Sequence, residues 1–309
     1  MNLLKNQDFK DMSRFFDSKT RRFERLLSQH TDNANVLSVC NATIGIMGVF
    51  YSLGLTGCEV ITTPLTWAGA FSGLRLLNNK LIFAEVEEPT LTISPDSIEK
   101  LITPNTKAVF TADFLGHPAR LDEIKKICEK RHLIHIHDAA SSFKSMYKGK
   151  YSGYYADVCV YSFGRSKAFT TGEGGAIICH KDSIYEKLIY NLAHPERQDI
   201  QCSFFNQFAL NTSMNPFSIE YGLKTFEKQI DKIINHQNKV TKLLKKTNFF
   251  DAWPDYIMPN FYKPVINTTL FNAKQQFKWA SLPYRPLSIC GISCENLKSY
   301  QISHEICFI

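Results

Sequence analysis

Lys167 lies in the stretch Ser162-Phe163-Gly164-Arg165-Ser166-Lys167-Ala168-Phe169-Thr170-Thr171-Gly172-Glu173-Gly174-Gly175. The run Val158-Cys159-Val160-Tyr161 leads into it and Ala176-Ile177-Ile178-Cys179 leads out, and both read as strands. A simple hairpin would carry more apolar residues between them than this connection does. A primary amine with hydroxyls before it and a glycine turn after it suits a Schiff base to the aldehyde of pyridoxal 5′-phosphate (PLP). Such an amine needs a lowered pKa, which a partly desolvated, cation-bearing pocket provides.

PLP also asks for an acid at its pyridine nitrogen, a support for the ring and a cradle for the phosphate. Asp138, after the run Leu133-Ile134-His135-Ile136-His137, is the candidate acid. A turn-capping aspartate is the other reading of the same residue. Trp67 could stack on the ring or could be core packing. For the phosphate, Thr43 and Ser162 offer hydroxyls, and a helix opening at Asn41-Ala42-Thr43 offers backbone amides at the positive end of its dipole. An ordinary helix cap would look the same in the sequence.

The elements that must position these residues alternate. Strands are expected over Val36–Cys40, Glu59–Thr63, Leu81–Ala84, Lys107–Phe110 and Leu133–His137. Helices are expected over Ile44–Leu55, Thr66–Leu77, Pro95–Leu101 (capped by Ser94) and Leu121–Arg131. An opening helix, with Phe15, Phe16, Phe23, Leu26 and Leu27 in phase, precedes them. This β-α alternation predicts an α/β fold with a mostly parallel sheet covered on both faces. Ligands bind such sheets at the carboxyl ends of the strands, where Thr43, Trp67, Asp113, Asp138 and Lys167 all fall. Ile219 to Leu244 reads as a long amphipathic helix. Beyond it Pro254, Pro259, Pro264, Pro283 and Pro286 interrupt the pattern. The expected division is a large domain over 1–248 and a small C-terminal domain over 249–309.

Composition narrows the class. The 309 residues carry 36 Lys+Arg against 29 Asp+Glu, a net charge of +7. Acids interrupt the basic residues, as in Arg21-Arg22-Phe23-Glu24-Arg25, so no basic stripe for nucleic acid forms. A mildly basic balance fits an anionic substrate such as a nucleotide-linked sugar. The nine cysteines lack metal-ligand spacing, Cys290 and Cys294 included, so no metal is expected and a reducing, cytoplasmic setting is. No apolar run is long enough for a membrane span, and the amino terminus lacks the apolar core of a signal peptide.

Together the motifs resemble the DegT/StrS-type family of PLP-dependent sugar aminotransferases, a branch of the fold-type I aminotransferases. Ser162 to Ile177 resembles the family's S-F-x-x-[ST]-K…G-E-G-G-A-hydrophobic signature. Pro64-Leu65-Thr66-Trp67 is similar to P-x-x-T-[FW], Gly116 to Asp122 to G-x-P-A-x-[ML]-D, and His137-Asp138-Ala139-Ala140 to [ED]-D-A-A. Asn41-Ala42-Thr43 stands where the family has S-G-T, and Asn211-Thr212-Ser213-Met214 where it has N-[YF]-R-M. The resemblance spans about Phe23 to Leu244. It implies an aspartate-aminotransferase-like fold with a shortened C-terminal domain.

It also implies roles by position. Lys167 would hold the cofactor and shuttle the proton, Asp138 would pair with the pyridine nitrogen, and Trp67 would stack on the ring. Asn41, Ala42, Thr43 and Ser162 would hold the phosphate. Ser141 stands where glutamine usually approaches the phenolic oxygen, and Ser213 where arginine is usual. A homodimer is implied, in which Asn211 to Met214 reaches the phosphate of the neighbouring subunit. The implied reaction moves an amino group from glutamate to a keto group of a nucleotide-linked sugar, in amino-sugar or polysaccharide biosynthesis. Another PLP reaction on such a sugar is an alternative, although family dehydratases carry histidine in place of the lysine. A non-catalytic PLP-binding or regulatory subunit is a further one. A nicotinamide enzyme is disfavoured, since Gly45-Ile46-Met47-Gly48 lacks the G-x-G-x-x-G fingerprint.

Overall fold

The computed structural model describes residues 17–87, 90–201, 206–246, 257–261, 265–267, 280–281 and 306–308. The strands in chain order are β1 (Asn35–Val39), β2 (Glu59–Thr62), β3 (Lys80–Phe83), β4 (Thr106–Ala112), β5 (Ile134–Asp138), β6 (Met146–Tyr147), β7 (Lys150–Tyr151), β8 (Val158–Ser162), β9 (Gly175–Cys179) and β10 (Ile257–Met258). The α-helices are α1 (Ser18–Gln29), α2 (Ala42–Ser52), α3 (Ser72–Leu76), α4 (Pro95–Leu101), α5 (Leu121–Arg131), α6 (Asp182–Leu192), α7 (Pro195–Gln201) and α8 (Pro216–Lys246).

Seven strands form one sheet in the order β1-β9-β8-β5-β4-β2-β3. Only β9 runs against its neighbours β1 and β8; the remaining pairs are parallel. Both faces are buried, which is why these strands read as continuous apolar runs rather than alternating ones. On one face Leu37, Phe110, Ile136, Val160 and Ile177 pack against Ile46, Phe50, Leu74, Leu188 and Leu192 of α2, α3 and α6. On the other, Val36, Cys159, Tyr161 and Ile178 meet Phe23 and Leu27 of α1 and Phe226 and Ile230 of α8. Ile61 and Val109 are covered on their side by Ile98, Leu121 and Ile124 of α4 and α5.

All seven expected strands are present. The expected helix over Thr66–Leu77 is shorter: a single 3₁₀ turn over Ala68–Phe71 leads into α3. Pro64 and the Thr63 hydroxyl, which accepts the Leu65 N–H at 3.2 Å, hold the preceding residues in a turn. The hairpin β6–β7 and the helices α6 and α7 add to the expected elements; two-residue strands carry no periodicity to read. The opening helix is seen from Ser18, and Phe15 and Phe16 lie outside the described residues. Pro254, Pro264, Pro283, Pro286, Cys290 and Cys294 lie outside them too, as does the 248/249 boundary. Among the described residues Ile257–Met258 pairs with β6, and Val265–Asn267, Ala280–Ser281 and Ile306–Phe308 form a small antiparallel sheet. No described helix is long and apolar enough to cross a membrane.

Candidate active site

The lysine stretch is tied down from below. Phe163 and Phe169 are fully buried and join Phe23, Phe143 and Phe226 in an aromatic cluster. The Phe163 N–H donates to the Gly174 carbonyl at 2.8 Å, and the Thr171 N–H to the Phe163 carbonyl at 2.9 Å. Gln229 on α8 accepts from the Thr170 N–H and donates to its carbonyl, at 2.8 and 2.9 Å. Gly172, at φ +84°, takes the left-handed turn that a side chain would strain. With both flanks anchored, Arg165 and Ser166 face solvent and Lys167 is half-buried.

Neighbouring strands bring the other candidates to the same edge. Asp138 ends β5 in register with Val160 of β8, two residues before Ser162. Its side chain is buried, and Oδ1 accepts the Ala140 N–H at 2.9 Å, so the turn-capping reading holds for that oxygen. Burial pushes the Asp138 carboxyl above its usual range, opposed by the Ala140 N–H and by the nearby charges of Lys167 and His137. The lysine thus stands close enough to act on the acid.

The phosphate candidates come from the turn between β1 and α2. Asn41 Oδ1 caps the helix by accepting the Ile44 N–H at 2.9 Å, and Thr43 is exposed on the first turn. A methyl group on Gly175 would lie 2.7 Å from the Tyr161 carbonyl oxygen, 3.0 Å from the Ala42 nitrogen and 3.1 Å from the Asn41 carbonyl carbon. Those are backbone atoms that cannot rotate away, so glycine here is what lets the helix start seat against β9. Gly175→Ala is expected to cost about 1–3 kcal/mol and to weaken phosphate binding at the Asn41–Thr43 turn. Denaturant melts and anion titration of the same protein measure both.

Trp67 is 79% exposed, which removes the core-packing reading. Its indole nitrogen and the Thr43 hydroxyl border the same space beside Gly69. Ser162 is half-buried, and its hydroxyl lies 3.4 Å from the Gly164 N–H. Ser141 is half-buried as well, and its carbonyl accepts from Asn260 Nδ2 at 2.9 Å.

Asn211 and Ser213 stand apart from the lysine. With Asn41, Cys40, Glu173 and Met214 they line a cavity of about 750 Å³ that reaches the start of α2. Ala42 is buried, and its backbone nitrogen lies against Gly175. Glu173, exposed at the turn between Gly172 and Gly174, is a lining residue to which the sequence pattern assigns no role. Arg197 is buried against Glu24 and lines a small neighbouring cavity with Thr20, Ser213 and Met214, and His194 accepts the Glu196 N–H. Tyr284 and Arg285 lie outside the described residues. Cys40, Cys58, Cys128, Cys159 and Cys179 carry free thiols, and no metal-ligand cluster occurs among the described residues.

The DegT/DnrJ/EryC1/StrS aminotransferase family model matches residues 10–257. The chain belongs to that family. Its members are PLP-dependent sugar aminotransferases, and the α/β fold with its mostly parallel sheet is theirs. GDP-perosamine synthase of Escherichia coli O157:H7 is 28% identical over 230 residues, 73% of this chain and 62% of that protein. The chain therefore spans somewhat less than two thirds of this relative's length. A sugar aminotransferase from Micromonospora echinospora superposes with a TM-score of 0.78 at 19% identity, covering 94% of this chain and 86% of that one. The E. coli GDP-4-keto-6-deoxy-D-mannose-3-dehydratase with bound hydrated PLP does so at 0.78 and 17%, covering 94% and 87%.

The buried acid carries one consequence within this family member. The folded pKa of Asp138 lies above its ordinary 3.8, so the apoprotein loses stability as pH rises through that interval. At neutral pH, Asp138→Asn apoprotein is expected to melt at a higher temperature than the parent, with the difference vanishing at pH below the ordinary carboxylate range. The same variant should hold PLP more weakly. Paired thermal melts with and without PLP read both effects.

Proposed function

We propose that this family member transfers an amino group from glutamate to a keto group of a nucleotide-linked sugar. The observation that carries the reading is the placement of a buried carboxylate, Asp138, beside a half-buried amine, Lys167, at the edge where α2 begins. These residues fit PLP: an acid kept from water for the ring nitrogen, an amine for the aldehyde, and a capped helix start for the phosphate. Bound there, PLP supplies an electron-accepting ring that stabilises negative charge at the substrate carbon.

The protein's own groups then divide the work. Asp138 would keep a proton on the ring nitrogen, and Lys167 Nζ would hold the cofactor and then take a proton from, or return one to, the carbon of whichever substrate occupies the site. Thr43, Ser162 and the amides after Asn41 would bind the phosphate, while the exposed Trp67 is free to cover a ring face. Ser141 would take the position facing the cofactor's phenolic oxygen. Asn211 and Ser213, on a cavity wall exposed in one chain, serve the neighbouring subunit's phosphate in a homodimer. Donor and acceptor use one site alternately. Free thiols suit the reducing cytoplasm.

Titration of the yellow PLP-loaded protein with glutamate tests the reading. The colour should bleach, and one member of a panel of nucleotide-linked keto-sugars should restore it. PLP bound tightly but unbleached by any amino donor would overturn the transfer reaction and favour a regulatory subunit.

A further inference from the structure

Behind Asp138, on the opposite face of the sheet, lies a buried polar row that the proposed reaction leaves unused. His137 Nε2 sits 3.2 Å from Asp113 Oδ1, and both side chains are wholly buried. His137 Nδ1 meets the Thr111 hydroxyl at 2.7 Å, and that hydroxyl meets His135 Nε2 at 2.9 Å. Neither Asp113 oxygen accepts a well-directed hydrogen bond, so the imidazole contact is the compensation for this carboxylate. The Asp113 N–H in turn donates to the Asp138 carbonyl at 3.1 Å, tying this row to the residue that bears the site's acid.

Charge decides what the contact is for. The groups facing Asp113 and His137 are Thr111 on β4, His117 after it, His135 and Asp138 on β5, and Cys159 and Tyr161 on β8. Burial holds His117 at about 4 and His135 at about 3, so both are neutral at neutral pH. Burial likewise raises the Cys159 thiol and the Tyr161 phenol, which stay protonated. With those neighbours uncharged, the His137 imidazole at 3.2 Å is the group in contact with Asp113 that can offset its charge beside Asp138. An unpaired Asp113 would place a second negative charge near Asp138 and push its proton affinity up.

We propose that Asp113 and His137 form a charge-balanced positioning pair that reserves the site's net negative charge for Asp138. This rests on Asp138 being the acid at the PLP ring nitrogen.

Four variants of the full chain, with PLP itself as probe, test it: Asp138→Asn, His137→Gln, Asp113→Asn, and the exchange Asp113→His with His137→Asp. His137→Gln should raise the PLP dissociation constant on the order of tenfold and shift the pH midpoint of the bound cofactor's absorbance. Asp113→Asn, which leaves no unpaired charge, should stay closer to the parent. The exchange should recover PLP affinity to within about threefold, because it restores a neutral contact. Parent-like affinity and midpoint in His137→Gln would overturn the proposal, and so would a folded exchange variant no better than His137→Gln. Should His137→Gln not fold, the exchange variant decides alone: PLP held with the parent's midpoint supports the pair, and PLP lost overturns it. If Asp138→Asn leaves PLP affinity and absorbance unchanged, the reading of Asp138 fails first. If Asp138→Asn alters them and the pair variants do not, only the pair falls.

Discussion

Lys167→Ala should lower the rate of amino transfer by at least about 10³-fold, and the protein should lose the yellow absorbance of lysine-held PLP. The substitution removes both the amine that holds the cofactor and the proton carrier, so the two losses coincide. The fold should survive it. Lys167 is half-buried, and the stretch is held by Phe163, Phe169 and the Gln229 contacts rather than by the lysine. A small added amine should recover part of the rate in Lys167→Ala by carrying the proton, but none in Lys167→Arg, where the guanidinium fills the space. Steady-state rates and absorbance spectra of the three proteins check this. Retained lysine-type absorbance in Lys167→Ala would remove Lys167 from the site.

Breaking the Glu24–Arg197 pair should be the most costly single change away from the site. The two are bidentate, at 2.9 and 3.0 Å, with side chains 0% and 3% exposed. Arg197 also donates to Gln201 Oε1 at 2.6 Å and to the Tyr185 hydroxyl at 3.3 Å. Glu24 accepts from the backbone N–H and the hydroxyl of Ser38, at 2.8 and 2.7 Å. Glu24→Gln leaves a buried guanidinium without its counter-charge, an expected loss of about 3–5 kcal/mol. Glu24→Leu with Arg197→Met should cost less than either single change, since no lone charge stays buried. Denaturant melts of the four proteins measure the coupling. The effect should reach the site, because Ser38 lies on β1, which delivers Asn41 and the start of α2. Weakened PLP retention should therefore accompany the lost stability in Glu24→Gln.

Arg197 shows what residue type alone leaves open. By type, Arg197 could meet a diphosphate but reads first as structural or solvated, and its partner is what the sequence does not name. In the chain order nothing links it to Glu24, 173 residues away. Trp67 is the converse case: stacking and core packing are equally good readings of a tryptophan after a strand, and its 79% exposure separates them. Ser141 and Ser213 look alike as serines standing in for longer side chains. The fold puts Ser141 by Asn260 and Ser213 on the cavity wall with Asn41 and Glu173.

What the amino-acid order determines by itself here is the local code. Continuous apolar runs, Ser94 and Asn41 as caps, and the glycines around Glu173 specify strands, helix starts and a turn through interactions spanning a few residues. Because every βα unit crosses with the same hand, that code also places Thr43, Trp67, Asp138 and Lys167 at one edge. Tertiary structure decides the electrostatics. Whether a carboxylate faces an amine, an imidazole or a guanidinium depends on which strands and helices become neighbours. Asp138, Asp113 and Glu24 are all buried, and each meets different partners. Burial and partner distance set a charge's free energy, and both arise from contacts between residues far apart in the chain.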